Sequence, residues 1–183
     1  MPQLTAAQQQ VQVEFLQQVK DGRLDKPVAE SSGLPNIAYT SADFFALEQH
    51  TVFRKNWVFA GFVHQLNRIG EMIPVEVAGQ PIVLVMAEDG KIRAFHNVCR
   101  HRGAQLVTEP KTSKKFVCPN HSWSYSLEGK LIARPHFHGG EKHDINQAAC
   151  HRADLSPVRC TTWHDWILSG RVQRRKNTRK LAT

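Results

Sequence analysis

Two periodicities divide the chain. In the stretch YTSADFFALEQHTVFRKNW, Phe44, Leu47, Val52 and Phe53 recur at roughly helical spacing, and Thr40 and Asp43 stand at capping-box spacing. This predicts a helix over about residues 42–56. From Trp57 onward the period changes to two, or to short runs that are almost wholly apolar. WVFAGFV reads as a strand. MIPVEV places Ile73, Val75 and Val77 on one side, as a half-buried strand does. PIVLVMA reads as a nearly continuous apolar strand, with AGQ as the turn before it. EDG follows as a hairpin turn of the Asp-Gly kind, and KIRAFHNV is the strand that leads to Cys99. WSYSLEGKLIA reads strand–turn–strand around Gly129, and SPVRCTTWHDWIL reads as one more strand. Short strands at regular spacing with glycine turns predict antiparallel sheets. The fold class is therefore mainly β, small antiparallel sheets with a preceding α-helix.

The segment before residue 38 is rich in glutamine and then interrupted by Gly and Pro. VQVEFLQQVK has a thin apolar face, so residues 1–37 read as a peripheral arm carrying a short helix at most. Apolar residues make up 41% of the 183, an ordinary globular value. No run of 18 apolar residues is present, and the N-terminus lacks the basic flank and apolar stretch of a secretory signal. With only four cysteines, the expected setting is a reducing cytoplasm, without a membrane. The net charge of +8 is concentrated at one end: residues 171–183 hold six Arg/Lys and no acid. A basic tail without aromatics reads as a solvated end rather than a nucleic-acid face.

Two of the four cysteines stand in tight pairs with histidine. Cys99-x-His101 is followed after sixteen residues by Cys118-x-x-His121. Each pair offers one thiolate and one imidazole from a single short loop. Buried structural residues would not cluster in this way. A Cys2His2 zinc site is one alternative, although zinc fingers group like ligands in pairs of wider spacing. The other is a two-iron, two-sulfide cluster with Cys99 and Cys118 on one iron and His101 and His121 on the other. Two imidazoles in place of two thiolates raise such a cluster's potential.

NVCRHRGAQLV…FVCPNHSWSYSLEGKLI resembles the Rieske domain in the large (alpha) subunit of ring-hydroxylating, non-haem-iron oxygenases. The resemblance extends over about residues 38–168. It implies three small antiparallel sheets with the [2Fe–2S] cluster at their tip, between two loops. It also implies Cys99 and Cys118 as ligands of the inner iron, His101 and His121 as ligands of the outer, electron-accepting iron, and Gly103 as the residue that lets the first loop turn. Trp123 and Tyr125 match the family's aromatic pair and would shield the cluster, with a hydrogen bond toward sulfur; plain core packing is the alternative. Respiratory Rieske proteins carry a loop disulfide where this chain has Ala104 and Asn120, and a serine where it has Trp123. Fewer hydrogen bonds imply a potential at the negative end of the Rieske range. The family usually has Gly after the second histidine, where this chain has Ser122; a positive φ there would strain serine.

The implied role is electron transfer: an electron taken from a ferredoxin or reductase is passed to the mononuclear iron of an oxygenase, with other oxygenase subunits as possible partners. The family's catalytic domain, with its facial triad, normally follows. Here the text after Leu168 turns into a basic tail over residues 169–183, which reads as a truncation or frameshift. The chain alone is therefore expected to lack oxygenase activity. A stand-alone Rieske ferredoxin and a zinc-structured interaction module are the other readings. His136, His138, His143 and Asp144 do not match the triad spacing. His151, His164 and Asp165 read as structural or surface groups, and Cys150 and Cys160 as free thiols.

Overall fold

The computed structural model describes residues 4–23, 27, 29–30, 33–135 and 153–170. The chain divides into two compact units, with the boundary between Lys55 and Asn56.

The first unit is helical. Helix α1 (Ala6–Gln18) is longer than its thin apolar face predicts, because its start is well capped: Thr5 Oγ1 accepts from the Gln8 N–H at 3.2 Å and Gln8 Oε1 accepts from the Thr5 N–H at 3.1 Å. A short helix α2 (Ile37–Thr40) leads into α3 (Ala42–Glu48), which continues as one wider turn over Gln49–Phe53. The cap of α3 falls one residue later than its spacing suggests. Ser41 Oγ accepts from the Phe44 N–H at 3.2 Å, whereas the Thr40 hydroxyl donates back to the Asn36 carbonyl. Val11, Phe44 and Leu47 are buried, and the Phe15 and Phe44 rings lie 5.1 Å apart.

The described residues of the second unit form ten strands, all paired antiparallel: β1 (Trp57–Phe62), β2 (Glu71–Val77), β3 (Gln80–Met86), β4 (Ile92–His96), β5 (Lys111–Thr112), β6 (Phe116–Val117), β7 (Ser124–Tyr125), β8 (Leu131–Ala133), β9 (Pro157–Trp163) and β10 (Trp166–Gly170). The small sheets implied by the resemblance partly run together. Strand β9 pairs with both β10 and β4, giving one seven-stranded sheet in the order β1-β10-β9-β4-β3-β2-β5, beside a three-stranded sheet β6-β7-β8.

Strands β2 to β4 bury both faces, which explains the continuous apolar run of β3. Met72, Val83, Val85 and Phe95 face a core shared with Cys99, Cys118, Trp123 and Tyr125. Ile82, Leu84, Val77 and Ala94 face a second core with Ala60, Val158 and Ile167. The single buried face predicted for β2 is thus incomplete, since Met72 on its other side is fully buried. The last predicted strand is a hairpin, β9 and β10, that turns at His164 and Asp165 with His164 at φ 51°. The Asp89-Gly90 turn is not the two-residue type: the Gly90 N–H bonds to the Ala87 carbonyl and the Ala87 N–H to that of Lys91, a three-residue loop ending in left-handed Gly90.

The loop between β7 and β8 repeats this pattern with Ser126, Gly129 and Lys130. Here the glycine is doubly constrained. Its φ is +84°, and an added Cβ would lie 2.4 Å from the Phe95 ring. At Gly90 (φ +73°) the same Cβ would meet nothing within 4 Å. Gly129→Ala is expected to cost about 3 kcal/mol or more, combining ~1–2 kcal/mol of left-handed backbone penalty with overpacking of the core. Gly90→Ala should show the backbone part alone. Urea unfolding of both variants measures the difference, and equal losses would remove the packing contribution.

Candidate metal centre

Two loops built on one hydrogen-bond frame carry the predicted ligands. In the first, the Cys99 N–H donates to the Ala104 carbonyl at 2.7 Å and the Gly103 N–H donates back to the Cys99 carbonyl at 3.1 Å. In the second, the Cys118 N–H donates to the Trp123 carbonyl at 2.8 Å and the Ser122 N–H to the Cys118 carbonyl at 3.0 Å. Each frame therefore links the cysteine to the residues four and five positions later. The residue at the fourth position is left-handed in both: Gly103 has φ 83° and Ser122 has φ 56°. The histidines occupy different steps of the same turn, His101 the second and His121 the third, which accounts for the unequal CxH and CxxH spacings.

Ser122 is thus the strained counterpart of Gly103. Restoring glycine removes ~1–2 kcal/mol of left-handed backbone penalty and gives back part of it as chain entropy. Ser122→Gly is expected to be stabilised by about 0.5–1 kcal/mol and to release iron to a chelator more slowly. A thermal melt and a chelation time course check this; a variant that melts lower and loses iron faster than the parent would contradict it.

The sulfurs lie deep, with Cys99 and Cys118 exposed by only 1% and 2%. Tyr125, fully buried, places its hydroxyl 3.3 Å from Cys99 Sγ. The Arg100 N–H donates to that same hydroxyl oxygen at 3.0 Å, which leaves the phenol hydrogen free to point at sulfur. Burial pushes the Cys99 thiol up, with the Tyr125 hydrogen bond opposing it. Burial, and then the bond to Cys99, drives the Tyr125 phenol well above its ordinary range, so it remains a donor.

The imidazoles form the rim. His101 is half-buried and His121 exposed, and their rings meet edge to face at 4.8 Å. The Trp123 indole stacks on His101 at 4.8 Å and 9°. Burial, with His121 next, lowers the His101 pKa and keeps that ring neutral, the form a metal requires. His101 Nδ1 is buried and has no hydrogen-bond partner among the described residues. The two rings open onto a cavity of about 760 Å³ that Arg102, Asn120, Ser122 and Pro135 also line.

Asn97 is a residue that sequence reasoning missed. Its buried side chain accepts from the Leu106 and Val107 N–H groups at 3.2 and 3.0 Å and donates to the Val107 carbonyl at 2.6 Å. It thereby pins the far end of the first loop two residues before Cys99. The only available signal was a polar residue at the end of an apolar strand.

Other predicted residues lie elsewhere. Asp165 pairs with His64 through both its carboxylate oxygens, which holds it below the usual carboxylate range. Cys160 is a half-buried free thiol on β9, its pKa pushed up by burial. His136, His138, His143, Asp144, Cys150 and His151 lie outside the described residues.

The donor set fits a cluster better than a single ion. Two buried sulfurs lie behind two rim imidazoles, and one buried imidazole nitrogen lacks a partner. Among the described residues no three His, Cys, Asp or Glu side chains close around one point, as a tetrahedral zinc site would require. Residues 56–143 match the family of the Rieske [2Fe-2S] domain. The chain carries that domain, and its cofactor is the Rieske-type [2Fe–2S] cluster.

It is homologous to the oxygenase subunits of Rieske monooxygenases and ring-hydroxylating dioxygenases. It is 41% identical over 100 residues to the glycine betaine monooxygenase oxygenase subunit of Chromohalobacter salexigens, covering 54% of this chain and 22% of that protein. A quaternary ammonium Rieske monooxygenase, whose structure is described in terms of carnitine oxidation and inter-subunit electron transfer, superposes with a TM-score of 0.64 at 26% identity, over 75% of this chain and 36% of that one. Naphthalene 1,2-dioxygenase superposes with a TM-score of 0.64 at 28% identity, over 78% and 32%. The chain thus spans well under half the length of these relatives. Among the described residues no helix is long and apolar enough to cross a membrane.

Proposed function

We propose that the chain is the electron-relay part of a Rieske oxygenase, with Cys99 and Cys118 holding one iron and His101 and His121 the other. The observation that carries this reading is the pair of like-framed loops, which set two buried thiols behind two imidazoles, one of them with an unpartnered buried nitrogen. When bound, the cluster supplies a one-electron couple.

The surrounding residues each have a part. Leu106, Val107, Phe116 and Leu131 exclude water from the sulfur side. The Tyr125 hydroxyl, held by Arg100, draws charge from the Cys99 thiolate and so favours the reduced state. Trp123 fixes the plane of His101, and exposed His121 presents the edge through which an electron crosses.

The cluster-bearing domain extends to about Leu168. The electron comes from a ferredoxin or reductase and goes to the mononuclear iron of the oxygenase. Identity to a glycine betaine monooxygenase subunit favours a quaternary ammonium compound over an arene as the substrate of the whole system. The free thiol of Cys160 suits a reducing cytoplasm.

The test is anaerobic reconstitution followed by metal and sulfide analysis, EPR and a redox titration. Two irons and two labile sulfides per chain are expected, with a rhombic signal on reduction. The midpoint should be below zero, toward the about −150 mV end of the Rieske range. Colourless protein with one zinc per chain would refute the reading. A midpoint well above zero would refute the weak hydrogen bonding assigned to the sulfurs.

A further inference from the structure

The outer side of β1, β10 and β9 is aromatic and open. It carries Trp57, Phe59, Phe62, Trp166 and Trp163, which range from 36% exposed at Phe62 to 59% at Trp163. The strand register brings them together. Phe62 lies opposite Trp166 and Trp166 opposite Trp163, while Trp57 lies opposite Gly170 and Gly170 opposite Arg159. A bulge in β1 between Phe59 and Gly61 keeps the set complete: Ala60, the extra residue, is buried, and Phe62 returns to the side of Phe59. The rings meet in a chain, Phe62 to Phe59 at 5.0 Å, Phe59 to Trp166 at 5.7 Å and Trp166 to Trp163 at 5.9 Å, all edge to face. The other side of the same strands is already in use, since Ala60, Ile167 and Val158 face the second core. A contiguous aromatic patch on the solvent side is the mark of a protein contact.

The charges of this face stand at its two ends. Arg159 lies over the Trp57 ring, 5.1 Å from its centroid, and makes no ion pair with any described residue. Asp165, in the turn at the opposite end of the hairpin, keeps a half-exposed carboxylate beside His64. Between them the three strands present no charged side chain on this side. We propose that this face is the contact between two copies of this chain, packed about a two-fold axis with their hairpins antiparallel. That arrangement sets Arg159 of each copy against Asp165 of the other around an aromatic centre, the self-complementarity that an isologous interface needs. An uncharged aromatic centre with a polar rim is also the composition of protein interfaces. A nucleic acid or an acidic membrane would meet Asp165 with like charge, whereas a second copy satisfies both ends. Size sets the strength. Three strands ~4.8 Å apart and about six residues at ~3.3 Å each give on the order of 300 Å² of sheet per copy, below the ~800 Å² per partner of a standard interface. The dimer is therefore weak, with a Kd on the order of 10–100 µM rather than nanomolar. None of these positions belongs to the ligand loops, so the pairing stands apart from the electron-relay reading.

The test is sedimentation equilibrium of the full chain at low ionic strength, between about 1 and 500 µM. The parent is expected to pass from monomer to dimer over this range without larger species, because a closed two-fold contact uses up the face. Trp163→Thr/Trp166→Thr, a change to another strand-forming residue at two exposed positions, should stay monomeric throughout. Arg159→Glu and Asp165→Lys should each raise the Kd about tenfold or more, since each sets like charges together at both ends of the contact. An equimolar mixture of these two variants should dimerise about as tightly as the parent, because opposite charges then meet at both ends. That recovery keeps the test decisive even if the tryptophan variant fails to fold. A parent that stays monomeric up to about 500 µM would overturn the proposal and leave the face to another partner. So would a folded tryptophan double variant that dimerises as the parent does, or a mixture no tighter than either charge variant alone.

Discussion

Cys99→Ser and Cys118→Ser are each expected to give colourless protein, with iron and sulfide near zero and no signal on reduction. Both positions are almost fully buried, and a serine hydroxyl there cannot supply the soft thiolate that iron–sulfur chemistry needs. The loss should far exceed the ~10–100-fold in metal affinity that removal of an outer-shell partner costs. Because the cluster binds only the folded state, its loss should also lower the melting temperature. Cys160→Ser is the internal control. Its thiol sits on β9, beside the Ile92 carbonyl and apart from the ligand loops, so iron content should be unchanged. Iron analysis with visible spectra decides. A Cys99→Ser or Cys118→Ser variant that keeps two irons per chain, or a Cys160→Ser variant that loses them, would remove the assignment.

The proposed ligand set rests on residue type and spacing, which need no coordinates. The strands were legible for a similar reason, since period two and glycine turns are local. What escaped depends on partners distant in sequence. Nothing near Met72 announces that the other side of β2 also faces a core. The hairpin of β9 and β10 reads as one strand in the sequence because its turn is His164-Asp165, without the Gly or Pro that marks a turn. The cap at Thr5 is hard to see in the sequence because its partner in the capping box is Gln8 within a glutamine run, where no single residue stands out. Ser122 shows the opposite balance: its strain was legible from the family's glycine, and the structure adds the cause, a left-handed position shared with Gly103.

Asn97 was the least legible residue and carries the second large prediction. Asn97→Ala is expected to destabilise the protein by on the order of 2–5 kcal/mol. The Leu106 and Val107 N–H groups both lose their acceptor in a buried setting, at ~1–3 kcal/mol each. The Val107 carbonyl is not orphaned, because the exposed Gln105 side chain also donates to it at 3.0 Å. Gln105→Ala is therefore the useful comparison: it removes a bond to the same carbonyl from the solvent side and should cost under about 1 kcal/mol. Hydrogen exchange at the Leu106 and Val107 amides reads the effect where it arises, and chemical unfolding reads the total. In Asn97→Ala both amides should lose protection before the amides of β3 do, and iron should be released faster because the first ligand loop is held from one end only. Retained protection at both amides, with a stability within about 1 kcal/mol of the parent, would show that the loop is anchored by its apolar packing and that Asn97 is incidental to it.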